Sequence, residues 1–201
     1  MTRTTRLQTA LVTACLAVAI SSGAMVACGS SSGSDGSAAT DTSADKTTTT
    51  KPRPTEDYKA SAADFVNLKS MTVVRGFFVS NKLGHLDEAL AIARANKGGV
   101  YPVGTIIQLV PQEAMVKRKP GWNPASKDWE FFFLDVSAKG TTIAVRGSDE
   151  VENRFGGNCA SCHKAAEPKF DFVCENDHGC EPLPIDHKVI ESIQKADPRP
   201  L

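Results

Sequence analysis

Residues 129–146 read WEFFFLDVSAKGTTIAVR, two runs rich in aromatic and β-branched residues on either side of Ala138-Lys139-Gly140. Such runs favour β-strands, and a short link that contains glycine is typical of a hairpin turn. The sequence therefore predicts a β-hairpin with strands at Trp129–Val136 and Thr141–Arg146. Because successive side chains of a strand point to opposite faces, at most alternate members of Phe131–Phe133 face the same side.

The other apolar segments of the chain have a mixture of strand and helix patterns. Strand segments are rich in β-branched and aromatic residues, and helical segments space Leu, Ile and Ala on one face, with Asp87 placed as an N-cap. We predict strands at Met71–Val79 and Thr105–Val110 and helices at Ala60–Leu68 and Leu86–Ala95. We also predict a short closing helix after Asp186 that contains Val189, Ile190 and Ile193. Together they predict an α+β fold with a mainly antiparallel sheet and a few helices.

Length and composition restrict the class of protein. The chain has 201 residues, enough for one domain with additional segments, and 41% of them are hydrophobic. Twenty-three basic residues balance 23 acidic ones, which argues against a nucleic-acid partner. Four of the six cysteines lie between residues 159 and 180, and such clustering indicates a cofactor, a metal or a local disulfide.

The N-terminal 27 residues have the features of an export signal. Two arginines precede ALVTACLAVAISSGAMVA, a run of apolar or small residues at 10–27. The ending MVAC, residues 25–28, resembles a bacterial lipobox, whose cysteine is acylated and becomes the first mature residue. The sequence thus predicts a signal peptide at 1–27, lipidation at Cys28, and an exported protein anchored to a membrane through its lipid, facing the periplasm or the cell exterior. A membrane-spanning anchor and cleavage near Ala27 without a lipid are the alternatives.

A linker follows this predicted anchor. From Gly29 to Asp57 the chain has no Val, Ile, Leu, Met, Phe, Tyr, Trp or Cys, and Ser, Thr, Gly and Pro supply 18 of these 29 residues. A segment with nothing apolar to bury cannot offset the entropy of ordering. We therefore expect a disordered linker at 28–57 and a folded domain at 58–201.

The chemistry of the chain is concentrated in Asn158-Cys159-Ala160-Ser161-Cys162-His163. Cys-x-x-Cys-His is the attachment pattern of c-type haem. On one helical turn the two cysteines share a face, so both sulfurs reach the vinyl groups of one porphyrin, and the adjacent histidine becomes the proximal iron ligand. We expect one covalent haem c held by Cys159, Cys162 and His163, on a C-terminal haem attachment helix with Asn158 as its cap.

Paired cysteines also serve two other chemistries. A thioredoxin-like redox pair needs a βαβ setting, which does not surround this site. A structural zinc site needs two further ligands, which Cys174, His178 and Cys180 could supply. In an oxidising compartment Cys174 and Cys180 are expected to form a disulfide, with a second metal site at Cys174, His178 and Cys180 as the alternative.

The sequence does not identify the sixth iron ligand. A low-spin electron carrier needs a second side chain on the iron, whereas an open distal face binds small molecules. The candidate ligands are Met71, Met115, His85, His178 and His187.

The order of these features resembles the cytochrome P-460 family over residues 60–185. The segments that carry the resemblance are RGFFVSN at 75–81, YPVGTII at 101–107, MVKR at 115–118, DWE at 128–130, the Cys-Ala-Ser-Cys-His motif and DFV at 171–173. The family and its relative cytochrome c′-beta imply a mostly antiparallel β fold, often dimeric, with a five-coordinate haem. Cys159 and Cys162 match the thioether cysteines of the family, and His163 matches the proximal ligand.

The resemblance also implies two activities. P-460 proteins oxidise hydroxylamine, using a lysine crosslinked to the porphyrin and a distal acidic proton acceptor, whereas the c′-beta branch binds nitric oxide behind a phenylalanine-lined face. Gln108 stands where the lysine is wanted, which weighs against hydroxylamine oxidation. Lys117 and Lys119 lie further on. The Cys174–Cys180 loop looks like an addition to the family pattern.

Distal and surface residues complete the candidates. Phe77, Phe78 and Phe131–Phe133 are candidates for a distal cap, with core packing as the alternative. Glu113 and Glu130 are candidate distal acids, although a solvated face is the simpler interpretation. Lys117-Arg118-Lys119 is interpreted as a soluble basic loop, or as a guide for an acidic redox partner.

The predicted function is therefore that of a monohaem cytochrome. It would transfer single electrons with a redox partner protein of unknown identity, or bind small ligands such as nitric oxide or carbon monoxide. The alternatives are a P-460-type oxidoreductase acting on hydroxylamine or nitric oxide, and a zinc-stabilised structural lipoprotein.

Overall fold

The computed structural model describes residues 56–154, 156–175 and 177–201. The predicted signal peptide, the lipidation site at Cys28 and nearly all of the predicted linker lie outside them. Of the two units into which the chain divides, the described residues belong to Thr49–Leu201. Their strands and α-helices are, in chain order, β1 Thr72–Val74, β2 Phe77–Asn81, α1 Leu86–Arg94, β3 Thr105–Gln108, β4 Glu113–Lys117, β5 Trp129–Ser137, β6 Gly140–Gly147, α2 Cys159–His163 and α3 His187–Lys195.

The six strands form one antiparallel sheet in which each strand pairs with the next along the chain. β5 and β6 are the predicted hairpin, with Val136 opposite Thr141 and Ser137 opposite Gly140. This sheet and the three helices confirm the predicted α+β class. Within the described ranges, no helix is long and apolar enough to cross a membrane.

The prediction of one strand at Met71–Val79 is wrong, because the chain reverses at Arg75-Gly76. Both residues have positive φ, 45° and 98°, and two such residues in succession are typical of the tight turn of a hairpin. The segment therefore contributes two paired strands, β1 and β2, with Val74 opposite Phe77.

The prediction of a helix at Ala60–Leu68 is also wrong. The segment contains two separate 3-10 turns, Ala62–Asp64 and Leu68–Ser70. Ala60 and Phe65 are buried against the sheet, and the ring of Phe65 lies 4.8 Å from that of Phe132. These long-range contacts hold the segment over the sheet and outweigh its local helical spacing.

The other two predicted helices are confirmed as α1 and α3. The side chain of Asp186 accepts a hydrogen bond from the backbone N–H of Lys188 and so caps α3. At α1 the N-cap is His85, and Asp87 lies in the first turn, where its charge favours the helix dipole.

The two faces of the sheet carry different cores. One face holds Val79, Ile107, Met115 and Phe131, which pack with α1, Cys159, Phe172 and Val173. The opposite face holds Ile106, Val116, Phe132 and Leu134, which pack with Ala60 and Phe65. Phe131 and Phe132 thus point to opposite faces, as the strand alternation predicts.

An ion-pair network lies on the face of Phe132. Glu130 accepts from Arg118 at 2.6 Å and from Arg146 at 2.7 Å, and Arg118 also donates to Asp57 at 2.6 Å. The interpretation of Lys117-Arg118-Lys119 as a soluble loop is wrong for its first two members, and Glu130 is buried rather than solvated. Asp57, the last residue of the predicted linker, makes a direct contact with the domain.

Candidate functional site

Helix α2 places the Cys-x-x-Cys-His residues on one short turn. The side chain of Asn158 accepts from the backbone N–H of Ser161 at 2.9 Å, so the predicted cap is confirmed. The Cys159 N–H donates to the Val151 carbonyl at 3.0 Å, which fixes the start of the helix against the loop after β6. Cys159 is buried, Cys162 is exposed, and both thiols are free.

A cavity of about 1130 Å³ opens beside this helix. Pockets that enclose drug-sized ligands span roughly 300–1,000 Å³, so the cavity has room for a large planar group. One wall comes from the sheet and the other from the segments around α2 and α3, with Phe77, Ile107, Met115, Phe131, Cys159, His163 and Val173 among the lining residues.

The imidazole of His163 lines this cavity and has one occupied nitrogen. Its Nδ1 lies 2.7 Å from the backbone carbonyl oxygen of Phe172. Because a carbonyl only accepts, Nδ1 carries the proton and Nε2 carries the lone pair. Burial lowers the pKa of the imidazole below its ordinary value, which favours the neutral ring. No described residue forms a hydrogen bond with Nε2, so this atom is available to a ligand.

The ring of Phe131 packs against His163, with ring centroids 5.1 Å apart. Burial of Cys159 raises the pKa of its thiol to about 12, so the thiol stays protonated at neutral pH. The site therefore combines two free thiols three residues apart, a neutral imidazole with an open Nε2, and a large adjacent cavity. Thioether attachment of a porphyrin needs these groups, and imidazole is a suitable ligand for iron.

A disulfide joins Cys174 to Cys180 and closes a loop at the rim of the cavity. Inside the loop, the ring of His178 stacks on Phe170 at 3.5 Å between centroids. Its Nδ1 lies 2.7 Å from the Val173 carbonyl, and its Nε2 lies 3.9 Å from Glu175. The sulfurs of Cys174 and Cys180 are both used in the disulfide, so neither is a free thiol. Across the described residues, no cluster of three or more His, Cys, Asp or Glu is arranged to hold a metal ion.

The structure divides the candidate sixth ligands into two groups. Met115, His178 and His187 line the cavity. Met71 packs on the opposite face of the sheet. His85 caps the start of α1 and lies 3.5 Å from Glu88. Neither Met71 nor His85 lines the cavity.

The candidate distal residues are divided in the same way. Phe77, Phe131 and Phe132 line the cavity, whereas Phe78 and Phe133 do not, and the side chain of Phe132 also packs in the core on the opposite face of the sheet. Glu113 lines the cavity, whereas Glu130 belongs to the ion-pair network.

The residues considered for a porphyrin crosslink lie away from the cavity. Gln108 is buried, and its amide donates to the carbonyls of Pro111 and Glu113. The Nζ of Lys117 contacts the Asp171 carboxylate at 2.8 Å and 2.9 Å. Neither residue lines the cavity, and neither does Lys119.

Sequence reasoning named residues 171–173 as part of the family resemblance but missed their contact with His163. Asp171 and Phe172 both have positive φ, 53° and 68°, yet neither is a glycine or an asparagine, the usual signals of that conformation. The role of Lys117 was missed because its partner Asp171 is 54 residues away. To place Lys117 near Asp171, the sequence analysis would have had to recognise all six strands and their order in the sheet.

Glu113→Gln is expected to stabilise the domain at neutral pH and to have little effect in acid. Burial raises the pKa of this carboxyl above its ordinary value of 4.5, so the folded chain favours the protonated form. The free energy of unfolding then falls as the pH rises above that ordinary value. Glutamine keeps an oxygen for the Arg154 N–H, which lies 3.2 Å away. Thermal unfolding at both pH values is the measurement, and an equal shift at both would contradict the argument.

Cys174→Ser is expected to lower the free energy of unfolding by about 2 kcal/mol, the chain-entropy value for so short a loop. The two cysteines lie six positions apart in the sequence, and neither belongs to α2. We therefore expect the Cys174→Ser chain to keep the ligand-binding properties of the His163 site. Urea unfolding of the wild-type and variant chains measures the first effect. If Cys174→Ser lowered the haem content per chain as well as the free energy of unfolding, the loop would be part of the binding site.

Comparison with protein-family profiles, characterised proteins and solved structures found no match for this chain.

Proposed function

We propose that this chain is an exported, lipid-anchored c-type cytochrome with a domain of the cytochrome P-460 type. One haem would be attached through Cys159 and Cys162, with His163 as the axial ligand. The observation that carries the proposal is the state of His163. Its Nδ1–H is bound to the Phe172 carbonyl, its Nε2 is open, and its ring lines a large cavity beside Cys159.

A histidine that ligates a metal almost always donates its other ring N–H to a carbonyl, a carboxylate or water. The arrangement of His163 and Phe172 has this form, and the burial that lowers the pKa of the ring reduces competition from a proton. A free thiol can add its S–H across a vinyl double bond to form a thioether with no leaving group, and Cys159 and Cys162 are both free. The residues present therefore fit a c-type haem.

When bound, the haem supplies one-electron redox chemistry and a site for small ligands at its iron. The chain's own residues would hold and surround it. Cys159 and Cys162 keep the group from dissociating, His163 fixes its orientation, and Phe77, Ile107 and Phe131 provide a wall that excludes water. Glu113 also lines the cavity, and burial raises the pKa of its carboxyl above the ordinary value.

The alternative function is a P-460-type oxidoreductase acting on hydroxylamine or nitric oxide. Glu113 in the cavity favours it, because such chemistry requires a proton acceptor near the iron. Gln108 and Lys117 do not line the cavity, which weighs against a porphyrin crosslink at those two positions, and Lys169 is a lysine that does line it. We therefore favour electron transfer or small-ligand binding.

The test is to produce the full chain in a host with and without a c-type haem maturation system. We expect a pyridine haemochrome spectrum of c-type haem, with one haem per chain, only when maturation is present. Cys159→Ser/Cys162→Ser is expected to abolish it, and Cys174→Ser/Cys180→Ser serves as the matched control that retains it. A colourless product from the competent host would refute the proposal.

The mass of the haem peptide separates the two functions. A peptide that contains residues 158–163 and carries haem through two thioethers alone supports the electron-transfer or ligand-binding function. An additional link from a lysine supports the oxidoreductase. Spectra of the reduced protein with and without carbon monoxide then show whether the distal face is open.

A further inference from the structure

We propose that the buried ion pair of Lys117 and Asp171 is a positioning element for His163, which it controls through the backbone carbonyl of Phe172. The inference rests on the proposed role of His163 as an iron ligand and assigns a function to two residues that do not line the cavity. Lys117 is on β4, and Asp171 directly precedes Phe172 in the loop after α2.

The carbonyl that binds His163 belongs to a backbone segment of unusual conformation. Asp171 and Phe172 are consecutive residues with φ of 53° and 68°. Residues other than glycine rarely adopt this region, and they keep it only where surrounding contacts hold them. The 2.7 Å contact between the Phe172 oxygen and Nδ1 of His163 therefore depends on whatever holds this segment.

The centre of the sheet holds it at two points. The Asp171 carboxylate accepts from Lys117 Nζ at 2.8 Å and 2.9 Å, and from the backbone N–H of Tyr101 at 2.9 Å. The Asp171 carbonyl accepts from the indole N–H of Trp129, on β5, at 2.6 Å. The side chains of Lys117 and Asp171 are only 5% and 3% exposed, so water does not compete for these contacts.

A contribution to stability does not by itself explain why a buried ion pair occupies this place. A buried ion pair can often be replaced by apolar residues of similar volume without loss of stability, because desolvation offsets the attraction. Apolar residues in place of Lys117 and Asp171 would fill the same space but would not bind the Tyr101 N–H. The segment would then lose its contacts with Lys117 and Tyr101 and keep the Trp129 bond to the Asp171 carbonyl.

The consequence falls on the Nε2 atom of His163. A ring whose Nδ1–H is held by a fixed carbonyl has one tautomer, and its other nitrogen becomes a stronger donor to a metal. A stronger donor stabilises the oxidised iron and lowers the reduction potential. Lys117 and Asp171 would therefore set both the direction and the strength of the axial bond.

The experiment compares Lys117→Met/Asp171→Asn with Arg118→Met/Glu130→Gln. The second variant removes a buried ion pair whose arginine directly follows β4 and whose carboxylate bonds to Arg118 and Arg146 rather than to the segment of Phe172. Ring ¹⁵N shifts of His163 are measured in the full haem-free chain. We expect the Nδ1–H tautomer in the wild type and in the Arg118→Met/Glu130→Gln control, and a mixture of tautomers in Lys117→Met/Asp171→Asn.

The same variants are then matured with haem. We expect Lys117→Met/Asp171→Asn to keep one haem per chain, with a lower iron–histidine stretching frequency in the reduced state and a reduction potential shifted to more positive values. Asp171→Asn, which preserves the shape of the site, provides the same readouts if the double variant does not fold.

The outcomes distinguish the two proposals. Wild-type tautomer and wild-type frequency in a folded Lys117→Met/Asp171→Asn chain would overturn the positioning role, and so would an equal change in the control. If the wild-type chain never acquires haem, the proposed function fails, while the tautomer measurement still decides whether the ion pair orients His163.

Discussion

His163→Ala is expected to leave the haem covalently attached while removing the protein ligand from one side of its iron. The thioether bonds depend on Cys159 and Cys162, so one haem per chain should be retained. The iron would lose its imidazole, and we expect a changed spin state in both oxidation states. Absorption and electron paramagnetic resonance spectra of the matured full chain measure the change.

Free imidazole provides the rescue experiment. Truncation of His163 leaves space in the cavity next to Phe131, and the Phe172 carbonyl is left without its donor. Added imidazole can fill this space, donate to that carbonyl and restore the wild-type spectrum. A ligand of the same size without a ring nitrogen should not restore it.

His178→Ala is the matched control for this prediction. His178 lines the same cavity, and its Nδ1 also contacts a backbone carbonyl at 2.7 Å. Its Nε2, however, lies beside Glu175 and its ring is stacked on Phe170. We therefore expect little spectral change in His178→Ala. An unchanged spectrum in His163→Ala would mean that another residue binds the iron.

The parts of the fold that could be predicted are those whose signals are local. The Trp129–Arg146 hairpin has its aromatic runs and its turn within one continuous stretch, and α3 has Asp186 as its cap. The prediction of a helical turn at Cys159–His163 also succeeded, because Asn158 caps that turn from the adjacent position.

Strand β4 shows what local signals miss. Glu113–Lys117 reads EAMVK, and Glu, Ala, Met and Lys are all good helix formers. The segment is nevertheless a strand, because it pairs with β3 on one side and β5 on the other. Strand propensity depends strongly on such neighbours. The same reasoning explains Ala60–Leu68, where contacts with the sheet replace the helix that its spacing predicts.

The candidate site was predictable at its chemical groups but not in its surroundings. Cys159, Cys162 and His163 are adjacent in sequence, whereas the opposite wall comes from β2, β3, β4 and β5. The partner of Lys117 is 54 residues away, and that of Arg118 at Asp57 is 61 residues away. A basic run therefore appeared solvated in the sequence although the charges of Lys117 and Arg118 are paired inside the domain.

Lys117→Met is expected to lower the free energy of unfolding by about 3–5 kcal/mol at neutral pH, because it leaves the buried carboxylate of Asp171 without a counter-charge. Among the described residues, the hydrogen-bond partner that the Asp171 carboxylate keeps in Lys117→Met is the Tyr101 N–H. Since small domains are stabilised by roughly 5–15 kcal/mol in total, this is a large fraction. Urea unfolding of the full chain measures the loss.

The pH dependence identifies the cause of that loss. Burial raises the pKa of Asp171 even beside Lys117, and removal of the lysine raises it further. A carboxyl with a raised pKa in the folded state lowers stability as the pH rises above its unfolded value. We therefore expect the deficit of Lys117→Met to be smallest in acid, where Asp171 is protonated in both states, and to increase toward neutral pH.

Two further variants complete the cycle. Lys117→Met/Asp171→Asn removes both charges, so we expect it to recover most of the stability lost in Lys117→Met. Arg118→Met is the neighbouring control, in which Glu130 keeps Arg146 as a partner and Asp57 is partly exposed. We expect Arg118→Met to cost less than Lys117→Met. Equal costs, or no recovery in the double variant, would show that lost packing rather than an unpaired buried charge determines the effect.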